Sequence, residues 1–499
     1  MQTSMLRLFG LGILLGLIGL AFAQSPSDNR KKPFYTSGRP ISAYISGVDY
    51  MAGEVLVVVP SAKALTDKKL RQISQRLKAV QISKPVKLSA TNSKSRVCGG
   101  MAIKLRFDPK QPLTDTLLES VQQGLINVGG LGDFTEAPNE AGGKSGLPTQ
   151  HKSVPVIPAP GRPVDRARAA TYEHDAKGIV VAVIDSGVTE KVPGVNLVPQ
   201  INFSNGAPSV VAFNDNFVFN PITPPATFYG HGTQVSGIVA GPPTNSPGSG
   251  IAQNATVMPL QPCDANRTCK GLDVLAAICY AASKENEVKK PADVINLSLG
   301  SFIGSRTIEN AILDARDAGS VIVMSAGNSR NPAWGIPANT LPAGVTMAQV
   351  LASRLALVND PVYPAAFSKG YRGVLDGLIS VGSVLDDEED PASVQLSDFS
   401  TWNTFVDFVA PGENLELYRP DGSLDTDHEG TSFSAPFVAA MAATLKRQYP
   451  ALSPWRIEGL LREGSVPGTD VQLNCAGTCG TGLPANSSFS VKKLHVGLF

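Results

Sequence analysis

The stretch "GIVVAVIDSGV", residues 178–188, is an apolar run that ends in a carboxylate. Helical patterns ("KGLDVLAAICYAASKEN" and "TIENAILDARDAG") separate the earlier of the apolar runs that follow it. These later runs are "DVINLSLG", "SVIVMSAGN", "LISVGSV" and "FVDFVAPG", at 293–300, 320–328, 378–384 and 405–412. Strands that are apolar on both faces and alternate with helices are typical of a parallel sheet covered on both sides. We therefore predict an α/β fold with a doubly wound, mostly parallel sheet.

A smaller α+β unit is predicted ahead of this sheet, at residues 51–140. "EVLVVV" (54–59) is typical of a strand, and "GMAIKLRFD" (100–108) alternates like a half-buried strand. Apolar residues recur at helical spacing from Leu70 to Val80 and again over 114–125. We expect a ferredoxin-like sheet with both helices on one face.

The N-terminal segment has the pattern of a signal peptide. Arg7 precedes a short apolar core, and Ala21-Phe22-Ala23 follows it, so residues 1–23 are expected to be removed on export. A membrane anchor is the alternative, but the core is short for a span of ~20 residues. We expect a secreted protein, extracellular or periplasmic, with no membrane contact once the signal is removed.

Two polar segments are predicted to be linkers. Residues 24–50 connect the signal to the small unit. Residues 138–165 are rich in Pro, Gly and Ser, a composition typical of exposed chain that is easily cut, and we assign 141–168 as a cleavable linker.

Composition and charge exclude some classes of protein. Hydrophobic residues make up 42% and charged residues 17%, which is ordinary for a globular protein, and the net charge of +1 gives no reason to expect nucleic acid. Residues 24–140 hold 17 Lys and Arg against 10 Asp and Glu, whereas 141–499 hold 25 against 32. The basic small unit and the acidic large unit are expected to attract each other.

Six cysteines fit an oxidising compartment. The pairs Cys263/Cys269 and Cys475/Cys479 are close enough in sequence to form local disulfides. Cys98 and Cys279 lack close neighbours, and Cys279 lies on the apolar side of a helical pattern, so we expect it to be a buried free thiol. Histidines at finger-like spacing are missing from the sequence around these pairs, and no zinc site is predicted.

Three polar residues stand in glycine-rich surroundings. Asp185 ends the first apolar run, where open α/β sheets place their ligand sites. His231 lies in "GHGTQVSG", and Ser432 lies in "GTSFSAP" at the start of a predicted helix. Taken singly, each has a structural alternative: a turn former, a structural histidine and an N-cap serine. Their order along the chain, Asp, His and Ser, is that of the subtilisin catalytic triad.

With these three motifs, residues 169–499 resemble a subtilisin-like serine protease (subtilase, peptidase family S8). The stretches "GIAQNATVMPL", "VINLSLG", "SAGN", "YPAAF" and "FVAPG" add to the likeness, which covers about two-thirds of the chain. The resemblance implies that Ser432 is the nucleophile, His231 the general base and acid, and Asp185 the carboxylate that orients His231. It also implies that Asn328 of "SAGN" donates to the oxyanion.

Further expectations come from the same resemblance. An extended substrate is expected to bind along two segments, which comprise Leu297, Ser298, Leu299, Gly300, Ala326 and Gly327. The unit at 51–140 is similar to an inhibitor-like pro-domain, which would be removed by self-cleavage within 138–165 and leave a catalytic domain at 169–499. A monomer that needs no cofactor for chemistry is expected.

The chain departs from the family pattern at several positions. Gln234 stands where many relatives have His, Ser434-Ala435 where many have Ala-Ser, and the long segment 330–361 leaves the wall of the primary pocket undefined. Calcium commonly stabilises this family. The acidic run "LDDEED" (385–390) could bind it, but such runs are usually solvated turns, so no metal site is assigned.

Two other functions fit the same residues. A relative could bind peptides without cleaving them, although an intact set of Asp185, His231, Ser432 and Asn328 argues against such decay. A second alternative is an enzyme that only processes itself. The leading hypothesis is a serine endopeptidase made as a zymogen, which acts on protein or peptide substrates.

Overall fold

The apolar runs of the sequence become neighbouring strands of one large sheet in the computed structural model of the chain. Residues 33–499 belong to one compact unit. The structure describes residues 34–35, 39, 41–46, 53–59, 66–92, 94–108, 113–114, 117, 135–138, 175–215, 218–219, 227–228, 230–242, 248–264, 268–331, 341, 343–369, 374–385, 395–463, 471–474 and 488–493. The predicted signal peptide lies outside these residues.

The large sheet has twelve strands in the described part of the chain. The strands are β7 (Val180–Ile184), β8 (Asn196–Leu197), β9 (Gln200–Ser204), β10 (Ala207–Val211), β13 (Thr256–Gln261), β14 (Val294–Leu297), β16 (Val321–Ser325), β17 (Leu378–Leu385), β18 (Gln395–Leu396), β19 (Phe408–Pro411), β22 (Val471–Asn474) and β23 (Ser488–Lys493). Ten of them follow the order β10-β9-β13-β7-β14-β16-β17-β19-β23-β22, while β8 pairs with β13 and β18 pairs with β17. The run from β13 through β7, β14, β16 and β17 to β19 is parallel throughout. The predicted α/β class is confirmed.

Helices cover both faces of this sheet. On one face pack α2 (His231–Ala240), α6 (Thr431–Gln448) and α7 (Pro454–Glu463), which share a buried cluster with Val181 and Val183 of β7. On the other face pack α3 (Gly271–Ala281) and α4 (Arg306–Asp317), whose cluster contains the alternate residues Ala182 and Ile184. Because side chains alternate across a strand, one apolar run supplies both layers of the core.

A second, antiparallel sheet lies on the outer side of α3 and α4. It is formed by β2 (Glu54–Val59), β3 (Gln81–Ile82), β4 (Val86–Lys87), β5 (Met101–Arg106) and β6 (Thr135–Pro138), with α1 (Asp67–Leu77) between β2 and β3. We call residues 53–108 with β6 the small sheet unit. Leu56 and Val58 of β2 join the cluster of α3 and α4, whereas Val55, Val57 and Val59 share a cluster with Ile73 of α1.

The two helices predicted for this unit have different outcomes. Val80 was expected on the first helix, but the helix ends at Leu77, and Val80 is 67% exposed beyond Lys78, whose φ of +56° stops the helix. The second helix was expected over 114–125, and apart from 114 and 117 these residues lie outside the described chain.

Short elements complete the described chain. They are β1 (Phe34–Tyr35), β11 (Val218–Phe219), β12 (Thr227–Phe228), β15 (Gly304–Ser305), α5 (Met347–Ala356), β20 (Leu415–Tyr418), β21 (Leu424–His428) and 3-10 turns at Ile41–Ala43 and Ala365–Phe367. β1 pairs with β15, so the segment ahead of the small sheet unit is also tied to the large sheet unit. No helix in the described part of the chain is long and apolar enough to cross a membrane.

Candidate active site

Asp185 and His231 form a buried hydrogen-bonded pair. Asp185 follows β7 directly, and its Oδ1 lies 2.7 Å from His231 Nδ1 while also accepting the Ser186 N–H at 2.7 Å. His231 is the first residue of α2, and the two side chains are 3% and 0% exposed. In this position the carboxylate fixes the ring orientation and favours the tautomer with the proton on Nδ1.

Glycines allow this close approach. A Cβ on Gly232 would lie 2.2 Å from the Gly187 carbonyl oxygen and 3.2 Å from Asp185 Cβ. Gly230 has a φ of +63°, and a Cβ there would lie 2.2 Å from Pro420 Cγ. The glycine frame of "GHG" is therefore a steric requirement for placing His231 against the end of β7.

A second buried carboxylate, Asp215, connects the two segments that carry this pair. Its Oδ1 accepts the Ser186 hydroxyl at 2.9 Å, and its Oδ2 accepts the N–H and the hydroxyl of Thr233 at 2.8 and 2.7 Å. Burial raises the pKa of Asp215 to about 6, and the charge of Asp185 adds to the rise against the hydrogen bonds, which lower it. Sequence reasoning missed Asp215 because it lies in the irregular segment between β10 and α2, outside the three motifs.

Ser432 lies in the first turn of α6 and is 1% exposed. Its hydroxyl donates to the Ser298 carbonyl oxygen at 3.3 Å, and the ring of the next residue, Phe433, lies 5.4 Å from the His231 ring. The helix begins at Thr431 after Gly430, and no side chain caps it. The N-cap alternative for Ser432 is therefore wrong. The hydroxyl of Ser434 is buried and has no hydrogen-bond partner among the described residues.

Asn328 follows β16 and is held by Thr431. Its Oδ1 accepts the Thr431 N–H at 3.1 Å and the Thr431 hydroxyl at 2.9 Å, and that hydroxyl also accepts the Gly327 N–H at 3.0 Å. With the amide oxygen engaged in this way, the Nδ2 donor group points away from Thr431. The residue that precedes Ser432 therefore sets the orientation of the Asn328 amide.

The six residues expected to bind substrate are all buried beside these groups. Ser298 lies just beyond β14. Its hydroxyl donates to the Ser432 carbonyl oxygen at 2.7 Å and accepts from Asn296 Nδ2 at 2.9 Å. Leu299 and Gly300 line a small cavity with Val274, Tyr363 and Phe367 among its other walls. Gly327 has a φ of +90°, and a Cβ there would lie 2.8 Å from the Val362 side chain. Of the six expected residues, Leu297, Ser298, Leu299, Gly300, Ala326 and Gly327, hydrogen bonds join Ser298 to Ser432 and Gly327 to the neighbouring Thr431.

Another buried histidine, His428, belongs to a different network. Its Nε2 lies 3.1 Å from Gln234 Nε2 and 3.3 Å from Asp425 Oδ2. Asp425 in turn binds Arg419 of the β20–β21 hairpin. Gln234 of α2 departs from the family pattern, and through His428 it contacts this hairpin.

The cysteines differ in part from expectation. Cys263 forms a disulfide with Cys269, and Cys98 forms a disulfide with Cys279 across 181 residues of sequence. The prediction of a free thiol at Cys279 is wrong, because the small sheet unit brings Cys98 against α3. Cys475 and Cys479 lie outside the described residues, as do residues 386–390 of the acidic run. Among the residues that are described, no group of three or more His, Cys, Asp or Glu could hold a metal ion.

Comparison with known proteins agrees with the resemblance to subtilisin-like serine proteases. The family model of the subtilase family, Peptidase S8, matches residues 176–482. The chain is 30% identical to a thermophilic serine proteinase of Bacillus sp. strain AK1, over 55% of this chain and 53% of that protein, and 30% identical to thermitase of Thermoactinomyces vulgaris, over 55% and 77%. It is 29% identical to an extracellular protease of Xanthomonas campestris pv. campestris, over 63% and 52%. The chain thus spans about half the length of two of these curated relatives.

The fold has solved counterparts as well. Fervidolysin from Fervidobacterium pennivorans, described as a keratinolytic enzyme related to subtilisin, matches 91% of this chain and 62% of its own, with a TM-score of 0.56 and 18% identity. At that identity the likeness bears on the fold alone. The family model covers more than half of the residues, in a stretch that includes Asp185, His231 and Ser432, and on this ground the chain belongs to the subtilase family.

Proposed function

We propose that the protein is a secreted serine endopeptidase that is made as a zymogen. The observation that carries the proposal is the buried 2.7 Å bond between Asp185 and His231, next to a helix whose first turn contains Ser432. Such a pair beside a serine at a helix N-terminus is the arrangement that nucleophilic acyl transfer requires.

The proposed chemistry assigns one task to each group. Ser432 Oγ attacks the scissile carbonyl carbon while His231 Nε2 takes its proton, and His231 later returns that proton to the leaving amine. Asp185 holds the imidazole through Nδ1 and stabilises its positive charge. Asn328 Nδ2 and the Ser432 N–H donate to the oxyanion, and the N-terminus of α6 adds a favourable dipole. Water then hydrolyses the acyl-enzyme by the same route.

The proposed substrates are proteins or peptides bound in extended form. The backbone of Leu297–Gly300 would pair with the substrate, and Ala326 and Gly327 would line the primary pocket. Recognition through backbone hydrogen bonds tolerates many side chains, which favours broad specificity. Names of relatives such as "thermophilic serine proteinase" and "extracellular protease" agree with this substrate class and with export.

The proposed maturation follows the sequence boundaries. The signal at 1–23 is removed on export, the small unit at 51–140 acts as an intramolecular inhibitor, and a cut within 138–165 releases activity of the catalytic unit at 169–499. The opposite charge of the two units and the packing of the small sheet unit on α3 and α4 support a specific complex between them. The active form is proposed to be a monomer.

The test is to export the wild type beside the variants Ser432→Ala and Ser434→Ala and to map their N-termini by mass spectrometry. We expect the wild type and Ser434→Ala to mature and to label with a fluorophosphonate at Ser432. Ser432→Ala should stay uncut, with a loss in turnover of about 10⁶-fold, the size known for the subtilisin triad. Maturation of Ser432→Ala at the normal rate, or labelling at Ser434, would contradict the proposal.

Digestion of casein by the mature form separates the remaining alternatives. An endopeptidase cleaves it with many turnovers. An enzyme that only processes itself would mature through Ser432 yet leave casein intact, and a peptide-binding relative would neither mature nor label.

A further inference from the structure

The disulfide between Cys98 and Cys279 joins the two units that the proposed maturation separates. Cys98 belongs to the small sheet unit and Cys279 to α3, and the linker at 138–165 lies between them in sequence. The two cysteines are 5% and 0% exposed, so reductants in solution have little access to the bond. Cys98 is also the only cysteine of the sequence ahead of the linker.

Hydrogen bonds at Asp314 reinforce the same junction. The Asp314 carboxylate on α4 accepts the backbone N–H groups of Arg96, Val97 and Cys98 at 2.7, 2.9 and 3.0 Å. Arg96 adds ion pairs of 3.1 Å to Asp314 and 2.8 Å to Asp317. Three consecutive amides on one buried carboxylate fix the loop that carries Cys98.

The burial of α3 also depends on the small sheet unit. Every residue from Gly271 to Ala281 is buried, including the apolar row Leu272, Leu275 and Cys279. Apart from Asp273, which accepts the Gly206 N–H, the helix carries no charged side chain, and such a helix requires cover on all sides. The neighbouring α4 is amphipathic, with six buried positions among its twelve, as expected of a helix that faces solvent on one side. Loss of the small sheet unit would expose apolar surface of α3 to water.

We propose that the small sheet unit is a permanent, covalently held part of the mature enzyme. Hydrolysis of one linker peptide bond, which consumes one water, yields two chains joined by Cys98–Cys279, and the disulfide is unchanged by the cut. After the cut, the sheet stays on α3 and α4. This inference rests on the proposed zymogen function.

The decisive experiment keeps self-cleavage out of the reaction. The full chain carries Ser432→Ala and a recognition site for a sequence-specific protease inserted between residues 150 and 151, and that protease makes the cut. We expect one band on a denaturing gel without reductant and two bands after reduction. Two bands without reductant would overturn the proposal.

Peptide mapping without reduction identifies the bond itself. A linked peptide pair that contains Cys98 and Cys279 is expected. A pair that links Cys98 to Cys475 or Cys479 would overturn the assignment, even if the gel showed a single band. Because Ser432 is absent from this protein, both results are independent of whether the wild type cuts itself.

Activity measurements test whether the sheet stays docked in the active form. Mature wild type with the Cys98–Cys279 bond intact should cleave casein. Its rate per fluorophosphonate-labelled site should change less than about twofold after treatment with tris(2-carboxyethyl)phosphine that a denaturing gel shows to have reduced the bond. Activity that rises at least tenfold on reduction, together with release of the small chain, would overturn the claim that the sheet stays docked in the active form. Wild type that is neither cut nor labelled by the fluorophosphonate would contradict the proposed function. The gel of the Ser432→Ala protein would still show whether a disulfide joins the two chains.

Discussion

Asp185 and His231 are fixed by charged partners, whereas Ser432 and Asn328 are fixed by neutral ones. The first pair depends on Asp215, whose carboxylate joins Ser186 after β7 to Thr233 in α2. The second pair depends on hydroxyl and backbone groups of Thr431 and Ser298. Both halves are equally buried, so the difference lies in charge and not in access to solvent.

Because of this difference, the hydrogen bonds around Asp185 and His231 should depend on pH, and those around Ser432 and Asn328 should not. A buried carboxylate changes its hydrogen bonds when it gains a proton, whereas hydroxyl and peptide groups keep theirs over the physiological range. We expect substitutions near Asp185 to alter the pH dependence of the protein. Substitutions near Ser432 should lower turnover by a similar factor at every pH.

Among variants that keep Asp185, His231 and Ser432, the largest effect is expected from Asn328→Leu. Loss of the amide donor should lower kcat by about 10²–10³-fold with little change in KM, the loss known for an oxyanion-hole donor in subtilisin. Asn328→Asp is the matched variant, because it retains an acceptor for Thr431 but has no N–H to donate. Steady-state kinetics on a peptide substrate measure both, and an unchanged kcat in either variant would remove Asn328 from the oxyanion hole.

A smaller effect, dependent on pH, is expected from Asp215→Asn. The pKa of Asp215 in the folded protein, about 6, lies above its ordinary value of 3.8, so the folded state holds the proton more tightly than the unfolded state. The stability that Asp215 contributes is therefore present below about pH 4 and is lost as the pH rises through 6.

Urea unfolding of Asp215→Asn and its parent, both with Ser432→Ala to prevent self-digestion, measures this contribution. Between pH 4 and pH 7 the unfolding free energy of the parent should fall by about 2 kcal/mol relative to that of the Asp215→Asn variant. A difference that stays constant over this range would show that Asp215 keeps its ordinary pKa.

The smallest effect is expected from Thr431→Val. The variant loses the hydroxyl bonds to Asn328 Oδ1 and to the Gly327 N–H but keeps its own N–H bond to Asn328. Because the Asn328 amide is then held less firmly, the activation free energy should rise by about 1.4 kcal/mol, which is a tenfold decrease in kcat. Thr431→Ser retains the hydroxyl and should stay within about twofold of the wild type. Equal kcat for Val and Ser would mean that the hydroxyl has no part in holding Asn328.

Much of the fold could be predicted from the sequence because its signals are local. Continuous apolar runs such as 178–184 are typical of strands covered on both faces, and their alternation with the helical patterns at 270–286 and 307–319 predicts a parallel sheet. Asp185, in the first of these motifs, could be expected to meet His231 since open sheets collect polar groups at one edge.

Other features depend on contacts between distant segments. Asp215 has no periodic surroundings, and its partners Ser186 and Thr233 lie in two other motifs. Cys98 and Cys279 are separated by 181 residues, and no spacing rule links such a pair. The fold of the large unit brings Asp215 to Ser186 and Thr233, and the packing of the small sheet unit on α3 brings Cys98 to Cys279.

The apolar helix α3 also limits how far the chain can be shortened. A protein that begins at residue 175 would present that helix to water and leave Cys279 without its disulfide partner on an apolar surface. Such a surface promotes association of monomers, and an unpaired thiol can cross-link them. Production of a working catalytic unit should therefore begin from the full chain, with residues 53–108 treated as part of its hydrophobic core.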